Sequence, residues 1–380
     1  PILTDTDTTG TILKTSGSDY IEFNSIQLKK GETSLNITGD YNFVKYCYFE
    51  GAHYAIRMDD GAGDPDITSP YIGYSYFEGA GAGSGDGIHS RYGTTYMTVE
   101  YCEFDEWSHG AITSNYHTSN GLVSGTPNTT VHDTIRYNYI KNTSDMDSEA
   151  IIVAGNGIEV YHNWAEDAGN IHITMGSNIK VHHNVINNTA SGLTSHSAIN
   201  IQDVWEHDMT DIDVYNNVVY FDGTQGTLMD GIRIFDGHTG SIMERINIRN
   251  NVVLNCNRYS FDVVEYAAAN EIESNCNDTD CNKFNNNIAY GWTGSYYARV
   301  EGSTFTTAAL FNDGVDGTYN ATPGNLETDP SFKDPANDKF YPESNTDPVI
   351  DAGYNVGASY DDYLTKHSDF SGSPPYVSTQ

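Results

Sequence analysis

Six fragments of the chain share one pattern, an apolar run interrupted by asparagine: IRYNYIKN (135–142), VYHNWAED (160–167), VHHNVINN (181–188), VYNNVVYF (214–221), INIRNNVVLNC (246–256) and KFNNNIAY (283–290). With the asparagine as marker, equivalent positions fall at Cys47, Ser75, Cys102, Asn138, Asn163, Asn184, Asn217, Asn251 and Asn287. A short constant strand at variable spacing is what a solenoid with loop insertions produces, because only the strands must stay in register. A propeller blade needs four strands in about 40 residues, which the shortest interval, from Asn163 to Asn184, cannot hold. Helical arrays need a sustained i, i+3, i+4, i+7 apolar pattern, and no window has one.

When coils stack at about 4.8 Å, equivalent side chains lie above one another, and asparagine amides donate and accept along the stack. Asn251 and its equivalents are therefore read as a structural ladder. A second strand follows in each coil, with its first apolar residue at Ile56, Ile88, Ile112, Ile151, Ile171, Ile199, Ile232 and Phe261. The next residue forms an outward column, Arg57, His89, Thr113, Ile152, His172, Asn200, Arg233 and Asp262, polar in all but one coil. The expectation is an all-β, single-stranded parallel β-helix of about ten coils with long loops. Residues 1–380 form one domain: 1–30 start the first coil, 31–295 form regular coils, and 296–380 form the last coils and a C-terminal cap. The segment from about 295 lacks the ladder and is rich in proline.

The chain has 18 basic and 52 acidic residues, a formal net charge of −34, which disfavours nucleic acid and anionic membrane surfaces as partners. No apolar run reaches the ~18 residues of a membrane helix, so no membrane insertion is expected. Six N-x-S/T sequons, at Asn36, Asn128, Asn142, Asn187, Asn277 and Asn320, are compatible with a secreted or cell-surface chain. Cys276 and Cys281 bracket a short loop that a disulfide could close. Cys47 and Cys102 occupy equivalent places and are read as packing residues.

The short strands, the ladder and the terminal stretch DPSFKDPANDKFYPESNTDPVIDAG (329–353) resemble the secreted right-handed parallel β-helix proteins, which include many polysaccharide-degrading enzymes. Within that group, the long-loop coils and acidic composition look most similar to the archaeal disaggregatases. That resemblance implies an extracellular, chondroitin-like matrix polysaccharide as substrate and partner. The segments SGDGIHSR (84–91) and SHGAITS (108–114) resemble parts of the β-helix polygalacturonases, where paired aspartates and a histidine-glycine carry catalysis. The full acid set of that family is missing, so its roles are not carried over.

Four residues beyond the aligned apolar position, Asp203, Asp236 and Glu265 follow in consecutive coils. Stacked carboxylates repel, so one stays protonated or a cation bridges them; either suits acid and base chemistry on a glycosidic bond. Arg233 and His172 join them as catalytic candidates, with Asn200 and the flanking His196 and His238 as substrate-binding ones. A second set, Asp86, Glu149 and Asp230, precedes the apolar position by two. Trp107 and Trp205 are candidate platforms for sugar rings. The run DDGAGDPD offers Asp59, Asp60, Asp64 and Asp66 as calcium ligands; no cofactor is required, and calcium stays open. Hydrolysis of internal glycosidic bonds by groove carboxylates leads. Two alternatives stand beside it: a lyase drawing on Arg57, His89, Arg91, His172 or Arg233, and a non-enzymatic surface, sheath or adhesion protein. A monomer is the favoured state.

Overall fold

A computed structural model of the chain describes residues 2–4, 10–58, 67–79, 85–90, 94–114, 131–142, 149–189, 197–204, 208–222, 229–237, 242–265, 282–292, 296–300, 303–315, 324–330, 332–334 and 339–342. They belong to two compact units, one reaching His172 and one starting at Ile173. Each unit is a parallel β-helix whose coils contribute strands to three sheets.

In the first unit, the first sheet stacks Gln27–Lys29, Tyr48–Glu50, Tyr76–Glu78, Glu103–Asp105, Tyr139–Lys141 and Trp164–Glu166 in unbroken parallel register. The second stacks Thr33–Ile37, Tyr54–Met58, Asp86–Ser90, Gly110–Ser114 and Glu149–Ala154. The third stacks Phe43–Lys45, Tyr71–Gly73, Thr98–Glu100, Thr134–Arg136 and Glu159–Tyr161. In the second unit the second sheet runs Ser197–Asp203, Asp230–Asp236, Phe261–Glu265 and Ala298–Val300. The expected alignment holds within each unit: Ile56, Ile88, Ile112 and Ile151 are neighbours, as are Ile199, Ile232 and Phe261. These apolar columns are fully buried, and Phe49, Phe77 and Phe104 stack at centroid spacings of 4.8 and 4.5 Å.

The asparagine ladder forms as expected. Asn184, Asn217 and Asn251 each send their backbone amide and Nδ2 to the Oδ1 of the next rung, ending on Asn287, at 3.0 Å. Nδ2 also reaches a backbone carbonyl, Val214 in the case of Asn251. In the first unit Asn138 bonds Asn163 in the same way, Cys102 donates its amide to Asn138, and Cys47 donates to Ser75. Sequence reading ended the ladder before 295, and this is corrected: Asn325 accepts from Asn287 at 2.8 Å and bonds Asn312 in turn. The short helix Ala308–Val315 places Phe311 against Phe261, Phe284 and Tyr297. Residues 343–380, assigned to the cap, lie outside the described residues, as do Cys276 and Cys281.

Doubled asparagines divide two tasks. Asn250 has φ of 55°, as Asn216 and Asn286 do at 56° and 55°, a left-handed conformation that asparagine tolerates better than most residues. The same turn in the first unit is taken by Tyr46, Tyr74, Tyr101, Tyr137 and His162. Their rings stack at 5.0 to 5.3 Å, which offsets part of the backbone cost. Asn251→Ala is expected to destabilise the chain by about 3 kcal/mol, because it takes the acceptor from the buried backbone amide and Nδ2 of Asn217 and the donor from the Val214 carbonyl. Asn250→Gly should change stability by less than about 1 kcal/mol. Denaturant midpoints of the two variants check the contrast.

Candidate functional site

Strict alternation would turn Asp86 toward the core beside Ile88, but the second sheet is bulged at this point. A Cβ on Gly87 would lie 2.9 Å from the ring of the core residue Phe104, so positions 87 and 88 both face inward and Asp86 turns to the outer face. The amides of Ala150 and Ile151 both donate to the Asn170 carbonyl, at 2.8 and 3.2 Å, the irregular pairing of a bulge. Small residues fill the extra inward position, Ala55, Gly87, Ala111 and Ala150 in the first unit and Ala198, Gly231 and Ser260 in the second. The outer face therefore carries two columns, one from residues such as Asp86 and Glu149 and one from residues such as His89.

On that face of the first unit, Asp86 is 1% exposed and bonded by two histidines. His109 Nδ1 lies 2.6 Å from Oδ1, and His89 Nδ1 bonds Oδ2. Burial raises the Asp86 carboxyl, but the two histidine bonds outweigh it and hold the pKa well below the usual carboxylate range. The same bond pushes His109 up to about 9 against an opposing burial effect. His109 keeps 39% of its side chain open to solvent, so Asp86 is an anion sealed beneath an accessible imidazolium. Glu149 sits two strands along in the same column, with His172 Nδ1 at 3.2 Å from Oε1. Between the two carboxylates stands Gly110, where a Cβ would lie 3.2 Å from Asp86 Oδ1. The space that a side chain would take there is filled by Thr113 Oγ1 at 2.6 Å and Ile152 Cδ1 at 3.2 Å, so the glycine lets these side chains close over the strand between the acids. Beside it, Arg57 packs on Tyr54, and Tyr54 on His89.

The leading carboxylate column is in register, Asp203 next to Asp236 next to Glu265, but its placement on an outward groove is corrected. Position 203 shares its parity with Ile199 and Ile201, and Asp203 and Asp236 are 0% exposed like those isoleucines. An offset of four residues returns a strand to the face it started from. Trp107 is likewise no platform: it is 2% exposed, and its Nε1 donates to the Phe77 carbonyl at 3.2 Å. Asp230 lies on the outer face of the second unit, held there by Arg258 at 2.6 and 2.8 Å, with Arg233, Asp262 and Arg299 around it. Asn200 adjoins Arg233 in register. Asp59, Asp60, Asp64, Asp66, Arg91, His196, Trp205 and His238 lie outside the described residues, as does the side chain of Glu265.

Three participants escaped selection. His109 stood in the quoted SHGAITS segment, but its partner Asp86 comes from the preceding coil. Arg258 lies in a turn and Arg299 in a coil beyond the repeats that could be aligned. Among the described residues, no group of three or more His, Cys, Asp or Glu side chains is arranged to hold a metal ion. Around Asp86, both histidine Nδ1 atoms are engaged by the carboxylate. No described helix is long and apolar enough to cross a membrane.

No protein-family model matches the chain, and no curated protein does. Among solved structures it is similar to a double mutant of the tailspike protein of E. coli bacteriophage HK620 in complex with a pentasaccharide. That match has 12% identity and a TM-score of 0.46, covering 74% of this chain and 60% of that one. It is also similar to a PL6 family alginate lyase, at 15% identity and a TM-score of 0.42, covering 95% of this chain and 54% of that one. A third is the catalytic unit of a GH87 α-1,3-glucanase from Streptomyces thermodiastaticus, at 12% identity and a TM-score of 0.37, covering 80% and 61%. The chain thus spans less than two thirds of each of these proteins. Likeness at this level assigns no activity.

The Asp86–His109 pair has a direct signature. In the folded protein the His109 imidazole should titrate near pH 9, and Asp86→Asn should return it toward the ordinary 6.5. Because the folded value is raised, the stability that this group contributes is complete below about pH 6.5 and is lost as pH rises through about 9. NMR of labelled histidine, with and without the substitution, measures the shift.

Proposed function

We propose that the first unit cleaves internal glycosidic bonds of a polysaccharide by hydrolysis, with Glu149 and His109 as base and acid on the outer face of its second sheet. The observation that supports this most is the pairing of two carboxylates, Asp86 and Glu149, each bonded to a histidine and separated by one strand that carries glycine in their register position. Two strand spacings, about 9.5 Å, separate Asp86 from Glu149, and His109, which immediately precedes the strand between them, reaches back to Asp86.

In this reading Glu149 takes a proton from a water that attacks the anomeric carbon, and His172 orients the carboxylate. His109, protonated at neutral pH, gives the proton on its outer nitrogen to the departing glycosidic oxygen. Asp86 is a positioning residue: its buried charge holds the imidazole in place and keeps it charged before transfer, while His89 fixes Asp86 from the other side. The stack of coils suits a linear polymer, since side chains recur along it at about 4.8 Å. A chondroitin-like matrix polysaccharide is the specific substrate favoured by the family resemblance, and the acidic chain is read as a secreted or cell-surface protein.

Incubation with neutral and uronate-containing polysaccharides, including unsulfated chondroitin, tests the reading. New reducing ends are expected without absorbance from the double bond that elimination leaves. Glu149→Gln and His109→Gln should each lower kcat by about 100-fold or more, with the fold intact by circular dichroism. Reducing ends rising together with that absorbance would replace hydrolysis by a lyase reaction, and silence across the panel would favour a surface or adhesion role.

A further inference from the structure

The second unit gathers five charged side chains on the outer face of its second sheet. Arg258 forks onto Asp230 and also reaches Asp262 at 3.0 Å. Arg299 forks onto Asp262 at 2.7 and 2.8 Å. Arg233 adds a third guanidinium, so three arginines face two acids, and burial and the neighbouring Asp262 push the Asp230 carboxyl up to about 8 against the pull of Arg258. In a protein of net charge −34 with only 18 basic residues, a local excess of arginine over buried acid is not a statistical surface.

Arg233 is the member whose bonding is incomplete. It is 9% exposed and lies with its guanidinium carbon 4.2 Å from the centre of the Phe235 ring. Its ion pair to Asp262 spans 3.5 Å, and among the described residues its buried Nε has no hydrogen-bond partner. Asn200, adjacent in register and 3% exposed, leaves its buried Oδ1 in the same condition. Arg258 and Arg299 are both satisfied by forked contacts, so Arg233 is what remains for a ligand. A buried guanidinium without a good acceptor is costly, and the cost falls when an anion arrives. Burial itself pulls the Arg233 pKa below its ordinary value, with Arg258 and Arg299 adding to that effect against Asp262 and Asp230.

We propose that this cluster is an anion subsite in which Arg233, backed by Arg258 and Arg299 and flanked by Asn200, binds the carboxylate of an acidic sugar residue. A planar guanidinium matches a carboxylate with two parallel hydrogen bonds, and the cluster already holds two carboxylates, Asp230 and Asp262, in that geometry. The Asn200 amide supplies an acceptor for a neighbouring sugar hydroxyl. A strongly acidic protein repels a polyanionic chain at long range, so a local cationic site is what lets it hold one. The inference rests on the polysaccharide reading above and narrows it to polymers containing uronate.

Calorimetry on the full chain with hexasaccharides of unsulfated chondroitin, alginate and polygalacturonate, each beside its carboxyl-reduced form, tests it. At least one uronate form should bind, and its reduced counterpart should bind 10-fold or more weakly. Arg233→Ala should lose the same factor for the uronate form and leave the reduced form unaffected; Arg233→Lys, which keeps the charge, should recover part. Equal affinity for both forms, an unchanged Arg233→Lys and Arg233→Ala pair, or no binding of any uronate hexasaccharide would each overturn the subsite. Cleavage of a neutral polysaccharide in those cases would leave the hydrolase reading standing. Carboxylate-dependent binding without cleavage of any polymer would support the subsite and remove that reading.

Discussion

Stacking in register is the constraint on which everything else in this protein depends. Each coil can be 21 or 36 residues long only because a few backbone positions repeat at the strand spacing, and the buried asparagines enforce that repeat. Asn251 shows how: its Oδ1 takes two bonds from Asn217, and its Nδ2 reaches both Asn287 and the Val214 carbonyl. A buried turn would otherwise leave those groups without partners, at a cost comparable to the net stability of a small domain when several are summed. Where cysteine or serine takes the rung, the amide bond to the next coil is kept with fewer contacts. Tyrosine stacking at the adjacent left-handed position then supplements it.

Register also brings distant residues together on so plain a surface. Parallel stacking places equivalent residues side by side, so a column of mixed side chains becomes a line of neighbours drawn from distant parts of the chain. The bulge adds a second column to the outer face by directing two successive residues inward. Small side chains at Gly87, Ala111 and Ala150 make room for it, and the carboxylates of Asp86 and Glu149 are the result. The same device in the second unit, at Gly231 and Ser260, brings Asp230 and Asp262 to one face and into reach of three arginines.

Electrostatics separates these two outer faces. In the first unit Asp86 and Glu149 meet histidine, and the buried charge of Asp86 is balanced by His109, whose own pKa it pushes up to about 9. In the second unit the acids meet arginine, which does not exchange protons, and the positive charge exceeds the negative. The first arrangement suits proton transfer and the second suits holding an anion. Buried acids cannot stay charged without partners of one kind or the other, and the kind of partner differs between the two faces.

The asparagine spacing alone determined that the chain is a parallel solenoid. It also determined which residues form rungs from Cys47 to Asn287 and which apolar residues share a column, because these depend on a period written directly in the residues. Asn325 was hidden by the irregular sequence between it and Asn287, although the same hydrogen bonds tie it in. The site was less legible. Asp86 and Glu149 stood out by position, and His109 lay within a quoted segment, but only the folded coils show Asp86 between His89 and His109. Counting by four from the apolar column put Asp203 and Asp236 on the open face, whereas the period of two that governs a strand returns them to the core side. The bulge that turns Asp86 outward shifts that period by one residue. Such a shift depends on how backbone amides share carbonyls and on the room beside Phe104 and Val253, and these exist only once neighbouring coils are in contact.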